Sequence, residues 1–424
     1  MDETPMSRSP LVIIGAGTGG LTLGRSLQRH KIPFRIYERA SELPRHNYGI
    51  SLAQRTYQPL LEVLQTNADE FRRSLGVVKA YTLPTSVAEM TAEKLIHTPP
   101  HSQKQGSSSE FRANRSAFEK LLSEPIKQHI QYSSRFKSIK PASNPSDHVE
   151  VTFEGGSAVS ELVIDCSGVH SPLRAALLPH HQPVIHPYVA VNGKRYLRPD
   201  KWEARCAPGF GPETSLQTTV QFEHEDNGTT RNITARLEIS INETVLDRED
   251  QLERVSISYT YSRKAFPTED ALYLPSRPKQ GAKDIPPQFY EEMASLTKSG
   301  KLSPAYMEAF NPANAGDDRL LSWLLRSVHL EESDTKALRD QGVLIMGDAA
   351  YAEPIVGSVP GGANHVIGQA MRLADRLAVE WKNGKQVAEM DFQGWLEPEP
   401  RSGEEDVAAH LGKIHELEPA KAVL

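Results

Sequence analysis

Hydrophobic positions near the start of the chain form short apolar runs that are interrupted by glycines. Residues 11–14 are four consecutive apolar residues, as in a strand that is buried on both faces. Residues 15–20 are rich in glycine and lead into helical spacing, and a second predicted strand, 33–37, ends before Glu38. Strand, glycine turn, helix, strand and acid in this order predict a βαβ unit that binds a dinucleotide.

Each glycine of this turn has a separate role in the prediction. Gly15 permits the tight turn, Gly17 lets the backbone approach a pyrophosphate, and Gly20 lets the helix pack close to the sheet. The helix N-terminus offers free N–H groups and the positive end of its dipole to the phosphates. Glu38 is placed to accept hydrogen bonds from the hydroxyls of an adenosine ribose, and a chance match to the motif is the alternative.

The middle of the chain has a different hydrophobic pattern. From about residue 182 to residue 330, apolar and polar residues alternate in stretches, as they do in half-buried strands. The clearest stretches are 219–222, 232–241 and 255–261. The pattern predicts an antiparallel sheet that is inserted into the nucleotide-binding domain.

Later in the chain, a short apolar run and two stretches of helical spacing follow the alternating part. Residues 343–346 predict a buried strand of the parallel type, and residues 364–379 have helical spacing. One face of a further predicted helix carries Val407, Leu411, Ile414 and Leu417. This apolar face predicts that the helix docks on the body of the protein or on a partner chain.

Length and composition narrow the function classes. A chain of 424 residues is long enough for two or three domains. Its formal charge of -6 gives no basic excess for nucleic acid, which is therefore not expected as a partner. Two cysteines, a polar N-terminal segment and the lack of a membrane-length apolar run predict a cytoplasmic protein without an integral membrane segment.

Three further motifs accompany the nucleotide-binding unit. Arg115 opens a predicted helix, Ser167 and Gly168 follow an apolar run at 162–164, and Asp348 follows the strand predicted at 343–346. With the glycine turn, and in this order, the motifs resemble those of class A flavoprotein monooxygenases, the para-hydroxybenzoate hydroxylase-like group. The chain looks most similar to the fungal members that oxidise secondary metabolites, over roughly residues 10–395.

The resemblance implies a fold and a domain organisation. The fold class is α/β, with a Rossmann-like FAD-binding domain and an inserted β-sheet substrate domain. The FAD-binding domain would comprise residues 9–75, 110–181 and 331–395, and the substrate domain residues 76–109 and 182–330. Residues 396–424 would form a linker and a helix.

The resemblance also implies which residues hold non-covalent FAD. The pyrophosphate would lie on the glycine turn, the adenosine ribose on Glu38 beside Arg39, and the ribityl chain on Asp348. The flavin side of the cofactor would meet a set of residues from four segments: Gly49, Arg115, Ser167, Gly168, Gly362, Ala363 and Asn364. Because reduced flavin is negatively charged at its pyrimidine edge, a helix N-terminus near Gly362 would stabilise it.

Other interpretations of these residues stay open at this point. Arg115 could be a surface arginine, with Arg112 as a rival for its role. Asp348 could only cap the following turn, and Gly362 could belong to a plain loop. Arg45 is a further residue that could reach phosphate or flavin.

Two positions depart from the family pattern. Ser167 stands where the family usually has aspartate, which leaves the nicotinamide step in question, although Ser171 and Arg174 are retained. Tyr351 stands where a histidine is usual, which removes one route to covalent flavin attachment. The loop at 354–362 is about two residues longer than the family pattern.

The reaction that the resemblance implies uses two small co-substrates. NAD(P)H would visit transiently to reduce FAD, and O₂ would form a flavin C4a-hydroperoxide that hydroxylates, epoxidises or otherwise oxygenates a small organic metabolite. One alternative is a flavoprotein of the same fold with isomerase or cyclase chemistry. Another is a non-enzymatic binding protein with a dinucleotide fold. The substrate, the choice of NADH or NADPH, and the oligomeric state are not determined by the sequence.

Candidates outside the cofactor set are few. Arg195, on a predicted strand at 190–196, is the catalytic candidate because some fungal relatives use an arginine in this region, and a solvated strand residue is the alternative. Tyr259 and Tyr261 share one strand face, where they line either a substrate pocket or the core. No metal site is expected.

A histidine-rich stretch is the reason for considering a metal at all. His180, His181 and His186 are interrupted by prolines, fit no standard ligand spacing, and are expected to have no acidic partner nearby. This stretch is therefore predicted to be a surface loop.

Overall fold

The computed structural model describes most of the chain. It covers residues 9–42, 47–78, 111–141, 149–354, 362–383, 385, 390 and 407–416, without positions 212, 227, 250, 268, 277–282 and 317. Arg45, Leu417, most of 76–109 and most of the loop at 354–362 lie outside the described residues.

Sixteen strands are numbered here in chain order within the described residues. They are β1 (Leu11–Ile14), β2 (Phe34–Tyr37), β3 (Gly49–Leu52), β4 (Phe111–Asn114), β5 (Ile130–Gln131), β6 (Phe136–Pro141), β7 (Val149–Phe153), β8 (Gly156–Ser160), β9 (Val163–Asp165), β10 (Val184–Leu197), β11 (Ser215–Asp226), β12 (Thr229–Leu246), β13 (Leu252–Lys264), β14 (Arg319–His329), β15 (Val343–Ile345) and β16 (Tyr351–Ala352).

The longer helices are numbered in the same way. They are α1 (Thr18–Arg29), α2 (Gln54–Leu64), α3 (Ala68–Leu75), α4 (Arg115–Ser123), α5 (Pro172–Leu177), α6 (Pro287–Lys298), α7 (Pro304–Phe310), α8 (Glu332–Arg339), α9 (Gly362–Lys382) and α10 (Val407–Ile414). Short helical turns cover 199–210, and 3₁₀ turns follow α4 and β15.

A parallel sheet contains the βαβ unit that the sequence predicts. Its strand order is β15-β9-β1-β2-β5, so strands from three distant parts of the chain lie side by side. Leu11 and Ile13 face one core, which includes the apolar faces of α1 and α9, and Val12 and Ile14 face another. Burial on both faces explains why β1 is apolar without alternation.

A larger antiparallel sheet follows the alternating part of the sequence. Its strand order is β11-β12-β13-β10-β14-β16. One face, called the outer face here, packs its apolar residues against α6 and α7, for example Val191 and Ile257 with Phe289 and Phe310. The opposite face, called the inner face, carries mainly polar residues. Period-two alternation produces this difference between the faces.

Two small sheets complete the architecture of the described residues. β3 and β4 form an antiparallel pair beside the end of β12, and β6, β7 and β8 form a three-stranded sheet. Arg112 on β4 donates from Nε to the Ile241 carbonyl oxygen at 2.9 Å, which joins the β3–β4 pair to the large sheet. No helix in the described part of the chain is both long and apolar enough to span a bilayer.

Candidate cofactor and substrate site

The glycine turn after β1 is shaped by close backbone contacts. Gly15 has φ of +100°, and a Cβ there would lie 2.8 Å from the Cys166 carbonyl oxygen. A Cβ at Gly20 would overlap the carbonyl oxygen of Gly15. A Cβ at Gly17, by contrast, would have no described atom within 4 Å. The packing of the protein therefore requires Gly15 and Gly20, whereas Gly17 leaves open space where α1 begins.

Glu38 lies immediately after β2 and is almost fully buried. Its carboxylate accepts hydrogen bonds from the backbone N–H groups of Ala16 and Ala40, both at 2.8 Å. The first bond connects the acid to the glycine turn. Arg39, the next residue, is exposed to solvent.

The turn after β9 contains a carboxylate that motif comparison does not identify. Asp165 accepts a hydrogen bond from the Ser167 backbone N–H at 2.9 Å and another from the Ser171 hydroxyl. Burial raises the pKa of Asp165, and hydrogen bonds from the two serines act against that rise. Ser167 thus stands in place of the usual aspartate, and the carboxylate of Asp165 lies two residues before it. Gly168, in the same turn, has φ of +86°.

Arg174 ties this turn to the one that carries Asp348. Its guanidinium is buried and donates to the carbonyl oxygens of Ala349 and Val169, at 2.5 and 2.7 Å. The Ser171 hydroxyl also accepts the Arg174 backbone N–H and caps α5. The two turns at the carboxyl edge of β9 and β15 are therefore held together.

Asp348, Gly362 and Arg115 come together from three segments. A Cβ at Gly362 would lie 3.2 Å from Asp348 Oδ1, so the start of α9 adjoins this carboxylate. Burial raises the pKa of Asp348, and the positive charge of Arg115 acts against that rise. Arg115 is bonded to Glu119 and to the Tyr48 hydroxyl. Burial lowers the pKa of Arg115, but Tyr48 and Glu119 raise it, and it lies above its usual value.

Asn364 connects the start of α9 to β3. Its side chain accepts the Ala53 N–H and donates to the Ser51 carbonyl oxygen, both at 2.8 Å. Gly49, at the start of β3, donates its N–H to Asn242 Oδ1 at 3.0 Å, and a Cβ there would crowd Arg112. Ala363 is half-buried between Gly362 and Asn364. The side chain of Asn364 therefore holds the start of α9 against the end of β3.

The inner face of the large sheet presents rows of polar side chains next to this region. Strand register aligns three such rows. The first row contains Ser240, Ser258, Lys194 and Arg319. The middle row contains Glu238, Thr260, Asn192 and Leu321. The third row contains Arg236, Ser262, Ala190 and Trp323. Lys194 Nζ donates to the Asn47 carbonyl oxygen at 3.0 Å, so the first row meets the loop before β3.

Arg195 points to the outer face, away from these rows. It is 7% exposed and bonded to Asp318 through Nε and Nη2, and its Nη1 donates to the Glu308 carbonyl oxygen. The Tyr259 hydroxyl donates to Asp318 at 2.5 Å. A solvated Arg195 is therefore wrong. The catalytic role stays a prediction, and a buried ion pair is what the geometry favours.

The two tyrosines of β13 lie in the core. Tyr259 and Tyr261 are buried on the outer face, and the Tyr261 hydroxyl donates to Glu292 at 2.6 Å. Burial raises the pKa of Tyr261, and the negative charge of Glu292 adds to the rise. Of the two roles considered for this pair, the structure favours the core.

The histidine-rich stretch does have an acidic neighbour. Asp334 Oδ2 lies 2.6 Å from His181 Nε2, and its Oδ1 lies 3.7 Å from His180 Nε2. The prediction that no acidic partner is nearby is therefore wrong, because Asp334 is distant in the sequence and reaches the loop from α8. His186 lies on β10, is buried, and pairs with the Ser327 hydroxyl at 2.8 Å, so the prediction of a surface loop is wrong for this residue. The absence of a metal stays a prediction.

Relatives in sequence are fungal enzymes. The chain is 29% identical over 382 residues to the FAD-dependent monooxygenase adaC of Aspergillus niger, a match that covers 87% of this chain and 84% of the relative. It is 26% identical over 392 residues to the FAD-dependent monooxygenase vrtH of Penicillium aethiopicum, with 89% and 86% covered. No protein-family model matches the chain.

Solved structures with the same architecture belong to flavin enzymes. The 2,6-dihydroxypyridine-3-hydroxylase of Arthrobacter nicotinovorans superposes with a TM-score of 0.58 at 17% identity, over 92% of this chain and 86% of the other. The chain has the para-hydroxybenzoate hydroxylase-like fold. CtdE, solved in complex with FAD and a substrate, superposes with a TM-score of 0.53 at 14% identity, over 90% of this chain and 83% of that one.

These comparisons confirm two predictions from the sequence. The resemblance to fungal FAD-dependent monooxygenases and the fold class are both confirmed. An FAD-dependent oxidoreductase is the class of enzyme that the relatives support. The individual site residues and the domain boundaries stay predictions.

Several residues that organise the site in this fold were not found from the sequence. Asp165, Asn242 and Gln369 are buried, and Gln369 Oε1 accepts the Gly347 N–H at 3.0 Å. The partners of Asn242 and Gln369 lie in other elements of the chain, so the local sequence does not indicate them, whereas Asp165 bonds to Ser167 and Ser171 in its own turn. Asn114 is an exception, because an asparagine directly before a helix predicts the cap it makes with the Ala117 N–H at 2.9 Å.

Proposed function

We propose that the protein is an FAD-dependent monooxygenase that uses NAD(P)H and O₂ to oxygenate a small organic metabolite. FAD would be held without a covalent bond, and the nicotinamide would visit transiently. The cytoplasmic location and the lack of a nucleic-acid partner stay predictions from composition.

One observation carries the proposal: turns from distant segments converge at one edge of the parallel sheet, beside the polar inner face. The glycine turn, the Asp348 turn and the start of α9 meet there, and Arg174 and Asn364 fix their relative positions. The space beside Gly17 fits a pyrophosphate, since backbone N–H groups at the N-terminus of α1 have no acidic residue near them in the first turn. The donor set therefore fits FAD.

Different residues of this chain would bind the other parts of the cofactor. Glu38 would hold the adenosine ribose, Asp348 the ribityl chain, and the backbone N–H groups at Gly362 and Ala363 the pyrimidine edge of the flavin. Bound flavin supplies the redox chemistry, while the protein orients the substrate and excludes water.

The inner face is the side of the large sheet on which we place the substrate. Its middle row is partly exposed and offers a carboxylate, a hydroxyl and an amide, from Glu238, Thr260 and Asn192, beside the apolar Leu321. Such a floor suits a small molecule that has both ring surface and several hydrogen-bonding groups. Much of the outer face is covered, because α6 and α7 pack on it.

The proposal is tested with purified protein and FAD. After unbound FAD is removed, the protein should retain flavin absorbance, and anaerobic NADPH or NADH should bleach it. Admission of air with a panel of aromatic, terpenoid and alkaloid compounds should give a product with one added oxygen. A protein that takes up no FAD would contradict the proposal, and bound FAD that neither nicotinamide bleaches would favour the isomerase or cyclase alternative.

A matched pair of variants tests the assignment of Asp348. Asp348→Asn should weaken FAD binding, because the neutral amide loses the charged acceptor for the ribityl hydroxyls. Asp340→Asn, the same change at an exposed aspartate after α8, should leave FAD binding unchanged. Equal affinities for FAD in the two variants would remove Asp348 from the site.

A further inference from the structure

Helix α10 lies on the inner face of the large sheet. Its apolar side is formed by Val407, Leu411 and Ile414, as the spacing predicts, and Leu411 is 1% exposed. These residues pack on Ala190 and Trp323 of the third row, and on Tyr188 and Leu325 beyond it. The helix therefore covers the part of the inner face that is farthest from β3.

His415 fixes the end of this helix to the sheet. Its Nε2 lies 2.5 Å from the Ser262 hydroxyl in the third row, and its Nδ1 lies 2.8 Å from the Leu411 carbonyl oxygen. The ring packs against Tyr188 with 4.6 Å between centroids. These contacts bury His415, which is 7% exposed.

The other end of the inner face is covered by the segment that contains Gly49. Lys194 of the first row is bonded to Asn47, and Asn242 bridges Gly49 and Ser258. Four residues separate the first and third rows along a strand, which corresponds to about 14 Å at the rise of an antiparallel strand. The middle row lies between the two covers, and its residues remain partly exposed.

We infer that α10 and His415 form the wall of the substrate chamber opposite the flavin. This inference rests on the proposed function, which places the flavin beside Gly49 and the substrate on the middle row. The wall limits the length of a substrate along the strands and shields the reacting centre from solvent. His415 is a positioning residue, because it acts through the helix that it holds on Ser262.

A helix that only braces the sheet would have the same contacts with the third row. The two roles differ in what happens to the flavin when the helix is released. Release of a brace would expose Trp323 alone, whereas release of a chamber wall would expose both Trp323 and the bound flavin to solutes. Access to the flavin is therefore the discriminating measurement.

The experiment uses the full chain loaded with FAD and a pair of matched variants. Leu411→Asp places a charge in the apolar contact and should release α10, whereas Ala409→Asp places the same charge on the exposed side. Iodide quenching of bound-flavin fluorescence reports access to the chamber. Acrylamide quenching of tryptophan fluorescence, compared with a Trp323→Phe background, reports release of the helix.

For Leu411→Asp we expect both quenching constants to rise severalfold, and for Ala409→Asp neither. A rise for Trp323 without a rise for the flavin would overturn the inference, and so would no rise in either signal. If Leu411→Asp does not fold, His415→Ala provides the same pair of measurements with a milder loss of contact. A protein that takes up no FAD at all would instead refute the proposed function, so the two failures are distinguishable.

Discussion

The three glycines of the glycine turn have different physical roles, although the motif requires glycine at each of them. Gly20 is needed for packing, because any side chain would overlap Gly15, and Gly15 is needed for its backbone conformation as well. Gly17 has a φ of -81° and free space around its missing side chain. Neither conformation nor protein packing requires glycine there, so a ligand is the remaining physical reason.

This difference predicts opposite outcomes for two identical substitutions. Gly17→Ala should change the free energy of unfolding of the FAD-free protein by less than about 1 kcal/mol. Its methyl group should weaken FAD binding at least about tenfold, because it fills the space that the pyrophosphate needs. Gly20→Ala should destabilise the FAD-free protein by several kcal/mol through overpacking. Urea unfolding and calorimetric titration with FAD measure the two effects.

The contrast between the variants serves as the control. If Gly17→Ala bound FAD as tightly as the unmodified protein, the open space would belong to solvent and not to the cofactor. If Gly17→Ala and Gly20→Ala were equally unstable, packing would explain both glycines and the argument for a ligand would fail.

Residue identity alone misjudged some side chains. Arg195 is polar and sits in an alternating strand, which suggests solvent or substrate, yet Asp318 pairs with it on the buried outer face. The pairing depends on a residue that lies over a hundred positions away. Long-range pairing of this kind leaves no local signal in the sequence. Ser167 stands where the family usually has aspartate, and Asp165, two residues earlier, places a carboxylate in the same turn.

At the scale of elements, the hydrophobic pattern predicted which strands form better than it predicted where they begin and end. The alternating stretch at 232–241 lies within the longer strand β12 (Thr229–Leu246). The buried run at 11–14 coincides with β1. Alternation marks only the half-buried part of a strand, so long strands extend beyond it. The side of β13 that carries Tyr259 and Tyr261 could not be chosen in advance, because a shift of one residue reverses the faces.

The pattern also predicted the docking of α10, and the chemistry of His415 adds a pH dependence. Burial lowers the pKa of His415, and the charge of Arg236 lowers it further, while the bond to the Leu411 carbonyl raises it. The released helix therefore binds protons more readily than the docked one. The contribution of His415 to stability is complete above about pH 6.5, the ordinary histidine value, and is lost as the pH falls.

We therefore expect the stabilisation by His415 to diminish in acid. The difference in free energy of unfolding between the unmodified protein and His415→Gln, measured in urea between about pH 5 and 8, should be largest at the alkaline end. His410→Gln, the same change on the same helix at a partly exposed position, serves as the matched control. A difference that stays constant over this range, or grows in acid, would show that protonation of His415 does not control the docking.

At the scale of the whole molecule, polar contacts join the β3–β4 pair, which packs on the core of the parallel sheet, to the large antiparallel sheet. Gly49 donates to Asn242, Asn242 donates to Ser258 at 2.8 Å, and Asn114 donates to the Asn242 carbonyl oxygen at 3.1 Å. The fold class could be predicted because motifs identify each unit. The junction could not be predicted, since it depends on how strand ends meet in space.

Asn242 is fully buried at the centre of this junction, and its replacement should loosen the connection between the sheets. Asn242→Ala leaves the Gly49 N–H without its acceptor, which costs about 1–3 kcal/mol for a buried group. Because the contact lies between units with separate cores, we also expect the urea transition to broaden or split. Asn232→Ala, the same change at an exposed position of β12, should do neither. If Asn242→Ala kept a single sharp transition with unchanged stability, the β3–β4 pair and the large sheet would be held together by packing alone, and Asn242 would have no part in placing the Gly49 segment against the inner face.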